Sequence, residues 1–423
     1  RAATTHPYPA PYPPMHTTHE SRAAPVTVVQ QHWEFYPLDV ESPPSRDPGT
    51  IGEMDQNYAD DAVDTDGNLA EAAQEFGLVD GLMGREDIRQ RLIEIGGPDE
   101  EKEDSPSVVG LGDYLGVSRM LEPQSAEDDN VAIVVAAGEI LDGSQPPGQI
   151  GGDSTASLLR QALRDESVKA VVLRVDSPGG SAFASEVISQ AVEALQAAGK
   201  PVIASMSGVA ASGGYWISAK ADKIFAAPST VTGSIGILGM FPTYQRTAAH
   251  LGINIDGVGT TPWAGELRPD RAMSEDTKRV FQQAINHGYD DFLNHVAEGR
   301  DMSVQQVHEV AQGRIWTGLD ALNYGLVDEL GSLDDAVAAA AAEAGLEEGS
   351  YGRCVVQEPL SPNEQMILDL LSTAKSLGLD PGVFVSEPRT IEKLALEFER
   401  IVDPLLRFND PMGIYAHCFC DFE

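Results

Sequence analysis

Ser212 closes the run Ser207-Gly208-Val209-Ala210-Ala211-Ser212-Gly213-Gly214-Tyr215, where small residues follow an apolar stretch (202–206) and precede a helix-compatible one (215–219). The pattern predicts a hydroxyl presented at a strand-to-helix turn. Such a turn suits a nucleophile, because the first N–H groups of a helix lack internal partners and its N-terminus carries partial positive charge, so an oxyanion is stabilised there. A second glycine-rich turn, Ser177-Pro178-Gly179-Gly180-Ser181, lies upstream, again between an apolar run (170–175) and a helical pattern. Side by side, the two turns would offer backbone amides to one oxyanion. The bland alternative for Ser212 is a small residue filling a tight turn.

A serine nucleophile needs a base to take its proton. A Ser/His/Asp triad calls for a histidine near the strand ends, but His287, His295 and His308 fall in helical patterns and His250 closes one, so each reads as a helix-surface residue. A lysine kept neutral by burial is the other solution. The eight lysines are Lys102, Lys169, Lys200, Lys220, Lys223, Lys278, Lys375 and Lys393. Lys169, Lys200 and Lys223 each precede a strand, at the end of the sheet away from Ser212, and Lys220 closes the helix that Ser212 opens, where a cation pairs with the helix dipole. None is placed for the role.

The elements that must position Ser212 alternate along the chain. Strand-like runs at 131–137, 170–176, 202–206 and 223–227 are separated by helical patterns at 155–164, 184–198 and 212–219. This alternation, with crossover lengths between strands, predicts an α/β fold. A long amphipathic helix follows at 274–298, with Ser274 as N-cap and Glu275 and Asp276 in its first turn. A short edge strand is expected at 314–318 and a helix at 319–324.

Composition narrows the function classes. With 42% hydrophobic and 22% charged residues the chain is globular, and its formal net charge of −38 argues against nucleic-acid binding by any large surface. The acidity reads as a solvated surface. Cys354, Cys418 and Cys420 are too few and too clustered for a disulfide framework, and no Cys/His set has zinc spacing, so neither metal nor cofactor is expected. The longest apolar runs fall far short of the roughly 18 residues needed to span a bilayer.

The octet Ala73-Gln74-Glu75-Phe76-Gly77-Leu78-Val79-Asp80 returns in pattern 248 residues later as Ala321-Leu322-Asn323-Tyr324-Gly325-Leu326-Val327-Asp328, which suggests an internal duplication. The expected organisation is a disordered or non-homologous segment at 1–50, the remnant of a first repeat at 51–95, and an acidic linker at 96–129. A complete catalytic repeat at 130–346 and a C-terminal extension at 347–423 follow.

Four ordered motifs carry a family resemblance: Asp176-Ser177-Pro178-Gly179-Gly180-Ser181, Val209-Ala210-Ala211-Ser212-Gly213-Gly214-Tyr215-Trp216, Thr232-Gly233-Ser234-Ile235-Gly236 and Gly325-Leu326-Val327-Asp328. Together they resemble the C-terminal repeat of signal peptide peptidase A, a bacterial Ser/Lys protease family, in its long two-repeat type. The ending from Phe408-Asn409-Asp410-Pro411 through Tyr415 and Cys418 is similar to that type's C-terminus. The resemblance implies a Clp-protease/crotonase-like fold of repeated ββα units, with one complete repeat and the tail of a truncated first one. It implies Ser212 as nucleophile, the amides of Gly180 and Gly213 as oxyanion donors, and Ser234 orienting the lysine amine. In the long type the lysine belongs to the first repeat; this chain has no lysine before Lys102, and Gly259-Thr260-Thr261-Pro262-Trp263 has none either. Truncation is the expected reason, and an impaired peptidase the expected consequence.

The implied substrates are released signal peptides and other apolar, extended segments bound along a sheet edge. Met206, Val209, Ile237, Leu238 and Met240 are candidates to line the pockets, or else ordinary core. The resemblance further implies a homotetramer at the periplasmic side of a bacterial inner membrane. Two other classes fit the fold: a crotonase-like acyl-CoA enzyme, which needs no serine nucleophile, and a non-catalytic scaffold, which the missing lysine favours.

Overall fold

The computed structural model describes residues 129–357 with few gaps, 409–418, most of 68–110, short pieces at 2–4 and 28–35, and isolated positions elsewhere. Most of 1–50 and of the C-terminal extension therefore lies outside the described residues. The chain divides into two compact units, Val29–Ala126 and the remainder.

In the smaller unit, α1 (Leu69–Glu75) and α2 (Arg85–Gly96) are the helices that bear on the sequence argument. After α1 the chain passes through Gly77 at φ 66, and the Leu78 amide donates to the Ala73 carbonyl at 2.9 Å. The matching octet in the larger unit does the same: Gly325 has φ 75 and the Leu326 amide reaches the Ala321 carbonyl at 2.8 Å. Both are glycine-terminated helix ends in which the chain's reversal captures an orphan carbonyl. The sequence similarity of the two octets is thus also a similarity of backbone.

The larger unit opens with β1 (Ala2–Thr4), then β2 (Asn130–Ala137), β3 (Ile140–Leu141), β4 (Ile150–Gly151), α3 (Gly152–Arg164), β5 (Val168–Ser177), β6 (Gly179–Ser181) and α4 (Ala182–Ala197). Next come β7 (Val202–Ala211), α5 (Gly213–Ala219), β8 (Lys223–Ala226), β9 (Val231–Gly233), β10 (Leu238–Met240), α6 (Gln245–His250) and α7 (Glu275–Gly299). The unit continues with α8 (Val304–Val310), β11 (Ile315–Thr317), α9 (Gly318–Asn323), β12 (Glu329–Leu330), α10 (Leu333–Glu343), β13 (Gly352–Val355) and β14 (Ile414–His417). The expected strands and helices are all present, with bounds moved by a few residues, and Ser274 caps α7 by accepting from the Thr277 amide at 3.2 Å.

A largely parallel sheet in the order β11-β9-β7-β5-β2-β13 forms the body, with β8 and β12 continuing from β7. Its long strands read as nearly continuous apolar runs because both faces are covered. Ala132, Val134, Val171, Leu173, Val175, Val202, Ala204 and Met206 join one buried cluster with α3, α4, α5 and α7. The alternate residues Val131, Ile133, Ala170, Val172 and Ile203 face α10, where Ala336, Val337, Ala340 and Ala341 seal the other side. A period of two along each strand sends successive side chains to opposite layers.

The sequence reading of 207–211 as part of a turn needs correction. β7 continues through these residues to Ala211. Val175 pairs with Met206 but Ser177 with Ala210, so β7 carries extra residues against β5 at this point. A bulge bends a strand. Beyond it, Val209, Ala210 and Ala211 pair with Val231, Thr232 and Gly233 of β9. This redirection delivers Ser212 to the corner between the two glycine-rich segments.

A smaller second sheet, in the order β1-β10-β14-β6-β3-β4, covers that corner. No sequence pattern announces it, because its strands are only two to four residues long.

Candidate active site

Ser212 sits at the N-cap of α5 with φ 55 and ψ −112. An L-residue adopts that backbone only under strain of about 1–3 kcal/mol, and here the strain is maintained by the packing of both flanks. The residue is 1% exposed, and its Oγ has no hydrogen-bond partner among the described residues. Leaving a buried hydroxyl unbonded costs about 1–3 kcal/mol, so the position is unfavourable to folding twice over. This combination of a strained turn and an unpaired hydroxyl is that of a nucleophile elbow.

The two glycine-rich segments meet here. A Cβ added to Gly213 would lie 3.1 Å from the Gly179 Cα and 2.7 Å from the Ser185 Oγ, and one added to Gly214 would lie 2.6 Å from the Ser177 carbonyl oxygen. Gly180 is equally confined, since its Cβ would come 2.0 Å from the Ile140 carbonyl oxygen. Gly179 and Gly180 have φ of 97 and 155, which side-chain-bearing residues rarely adopt. The Gly213 amide is the first of a helix and so has no intrahelical acceptor.

Ser234 belongs to the same corner. The Ser212 amide donates to the Gly233 carbonyl at 2.8 Å, and the Ser234 amide to the Arg314 carbonyl at 2.7 Å. Ser234 also has a positive φ, 49, and is 7% exposed. The structure therefore gathers Ser212, Gly213, Ser234 and the Gly179–Gly180 segment around one point. Among the pocket candidates, Met206 and Ile237 are core residues at 2% exposure. Val209, Leu238 and Met240 are half-buried.

The histidines need one correction. His295 is not on a helix surface: it is 6% exposed, stacks at 5.1 Å from Trp216, and its Nε2 donates to the Trp216 carbonyl at 2.8 Å. Burial holds its imidazole below the ordinary range. It turns inward because α7 packs its Phe292–Val296 face against α5, with Phe292 4.4 Å from Trp216. His308 meets the Tyr289 hydroxyl at 3.0 Å. Neither is committed to Ser212.

The described lysines of the larger unit are engaged elsewhere. Lys200 is held below its usual pKa by burial, but its ammonium donates to the Ala162 and Asp165 carbonyls. Lys169 pairs with Asp129, Lys220 with Glu193 and Glu298, Lys223 with Glu329 and Glu343, and Lys278 with Glu275. Among the described residues no group of three His, Cys, Asp or Glu side chains is placed to hold a metal ion. No helix among them is long and apolar enough to cross a membrane.

The fold pairs two residues that stand in separate motifs. Ser181, the N-cap of α4, donates its hydroxyl to Asp410 Oδ2 at 2.6 Å, 229 residues away in sequence. Asp410 also accepts from the Phe183 amide at 3.3 Å through the same oxygen. No local pattern signals such a pairing; only the resemblance of the C-terminal ending pointed at this stretch. Nearby, Cys418 is disulfide-bonded, whereas Cys354 is a free thiol.

Residues 194–347, which contain Ser212 and Ser234, match the model of peptidase family S49. The chain is 37% identical over 386 residues to Protease 4 of Salmonella typhi, covering 91% of this chain and 61% of that protein. It is 38% identical over 389 residues to Protease 4 of Haemophilus influenzae, covering 91% and 62%. A putative signal peptide peptidase SppA of Enterococcus faecium is 31% identical over 251 residues, covering 57% of this chain and 73% of the relative. A solved ClpP1 mutant of Listeria monocytogenes aligns with 48% of this chain and 94% of its own at 18% identity and a TM-score of 0.32. The chain thus spans about three-fifths of the length of the two Protease 4 relatives. By its match to the family model and its identity to these sequence relatives, the chain belongs to peptidase family S49, in its signal peptide peptidase A branch.

Proposed function

We propose that this chain is the nucleophile-bearing part of a serine endopeptidase. The Ser212 Oγ attacks a peptide carbonyl, the amides of Gly180 and Gly213 receive the developing oxyanion, and Ser234 orients the amine of a lysine that takes the proton. The lysine comes from a portion of the protein outside these 423 residues. The observation that carries this reading is the strained, buried and unbonded Ser212 hydroxyl at a helix start. An acyl-CoA enzyme on a related fold would leave that strain without a use.

The substrates are extended, apolar peptides, signal peptides among them, and the working form is a homo-oligomer, a tetramer by analogy with the long type. Its place is the periplasmic side of a bacterial inner membrane. Without its lysine the chain is slower by about 10²- to 10⁴-fold, the usual contribution of a general base.

The test is hydrolysis of a quenched apolar peptide by the chain combined with the portion of the longer relatives that it does not span. Hydrolysis that vanishes in Ser212→Ala supports the reading. Hydrolysis unchanged in Ser212→Ala contradicts it.

A further inference from the structure

Strand β14 lies between β6 and β10 and runs antiparallel to both. On one side, β6 carries Gly180. On the other, β10 begins just after the Thr232-Gly233-Ser234-Ile235-Gly236 segment. An extended peptide presenting a carbonyl to Ser212 would find main-chain partners on both of these edges. Residues 414–417 of the chain already fill that lane.

Ala416 stands opposite Gly180, Tyr415 opposite Ser181 and Leu238, and Ile414 opposite Gly239. The Ala416 carbonyl oxygen is packed against both glycine turns: a Cβ on Gly179 would come 2.2 Å from it, and one on Gly213 2.9 Å. The next strand contact holds the same frame, with the Cys418 amide donating to the Pro178 carbonyl at 2.7 Å. Ala416 is fully buried, a site with room for a methyl group, and the residues before it, Tyr415 and Ile414, are 4% and 7% exposed.

What fastens this segment is a small set of side-chain hydrogen bonds. Asp410 Oδ2 takes the Ser181 hydroxyl and the Phe183 amide, at the start of α4, where a carboxylate is favoured by the helix dipole. Its Oδ1 takes the amides of Met412 at 2.8 Å and Ile414 at 3.1 Å, so one carboxylate joins the helix start to the strand. The Tyr415 hydroxyl accepts from the Asp410 amide at 3.1 Å. Asn409 bonds both the amide and the carbonyl of Asp142, at 2.8 and 3.1 Å.

We propose that residues 409–418 form a resident pseudo-substrate, latched by Asp410 to Ser181, with the Ala416 carbonyl held at the oxyanion position. An external peptide reaches Ser212 only when this segment lifts. The resident strand also displays the cleft's preference: a small residue at the carbonyl facing Ser212, with apolar residues before it. The inference rests on the reading of Ser212 as nucleophile and adds to it a gate and a specificity.

The test uses the whole chain carrying Ser212→Ala, so that no chemistry consumes the probe, and a fluorescein-labelled peptide of residues 409–417 read by anisotropy. Two further variants open the cleft differently: Asp410→Ala removes the latch, and Ala416→Trp places a side chain too large for the buried site while leaving the latch intact. Because apparent affinity scales with the fraction of molecules whose cleft is open, each folded variant should bind the peptide about tenfold or more tightly than the latched Ser212→Ala parent, and a scrambled peptide should not gain. Unchanged affinity in Ala416→Trp, with its far-ultraviolet circular dichroism preserved, overturns the proposal, even where Asp410→Ala fails to fold. An equal gain for the scrambled peptide overturns it as well. The binding readout does not depend on the Ser212 hydroxyl. A gain in peptide affinity without hydrolysis by the combined protein would therefore remove the nucleophile and leave the occupancy, while hydrolysis without that gain would remove the gate alone.

Discussion

The Ser212 amide donates to the Gly233 carbonyl at 2.8 Å, and both Ser212 and the residue after that carbonyl, Ser234, have positive φ. Two strained serines are thus joined through one main-chain bond. Strain at paired positions persists only when the surroundings over-determine it, and here β7, β9 and the start of α5 do so.

Removing the unbonded hydroxyl should therefore stabilise the fold. Ser212→Ala is expected to raise the unfolding free energy by about 1 kcal/mol or more, because no described partner loses a bond and a buried polar group disappears. Urea denaturation of the two proteins measures this. A loss of stability of similar size would mean that the hydroxyl is satisfied after all.

The glycines beside it should be intolerant in a graded way. Gly180→Ala meets the Ile140 carbonyl at 2.0 Å with a φ of 155, and a cost above about 2 kcal/mol is expected. Gly208→Ala, whose new Cβ meets nothing nearer than Asp176 Oδ1 at 3.8 Å, should stay within about 0.5 kcal/mol. Equal effects in thermal melts would contradict the confined geometry.

Tyr215 ties two of the sequence motifs together: its hydroxyl donates to the Leu326 carbonyl at 2.8 Å while the ring is fully buried. Burial pushes its phenol far above the ordinary range. Tyr215→Phe leaves that carbonyl unpaired and should cost about 1–3 kcal/mol. In an ultraviolet pH titration of the native protein, the Tyr215 phenolate should appear only as the protein unfolds.

His295 gives a signed pH dependence. Burial lowers its pKa in the folded state, so below the ordinary value near 6.5 the unfolded chain binds a proton that the folded chain does not. Stability from this residue is thus whole above about pH 6.5 and falls as pH drops toward the folded value. The urea midpoint should fall less between about pH 7.5 and about pH 5.5 in His295→Asn than in the parent, because the substitution removes the titrating group. Parallel shifts in the two proteins would refute the assignment.

The sequence disclosed the long strands, their helices and the Ser212 turn because each is encoded locally, by apolar runs, helical periodicity and glycines at forced conformations. The second sheet was illegible. Gly179–Ser181 looks like a turn until Ile414–His417 pairs with it, and nothing near either segment announces a partner so distant in the chain. The same is true of Ser181 and Asp410, an ordinary N-cap serine and an ordinary aspartate that acquire their roles only through tertiary contact. For His295 the sequence shows the helical position but not the inward face. The partners of the lysines are likewise tertiary: those described in the larger unit bond carbonyls or acidic side chains.

The central claim is that the Ser212 Oγ is a nucleophile awaiting its base, and adduct mapping addresses it most directly. A serine-directed acylating probe is applied to the chain alone and to the chain combined with the portion of its longer relatives that it does not span, and the modified residue is located by peptide mass spectrometry. The account predicts acylation of Ser212, faster by about 10²-fold or more in the combined protein. Acylation of some other serine, or an unmodified Ser212 in both preparations, would contradict it.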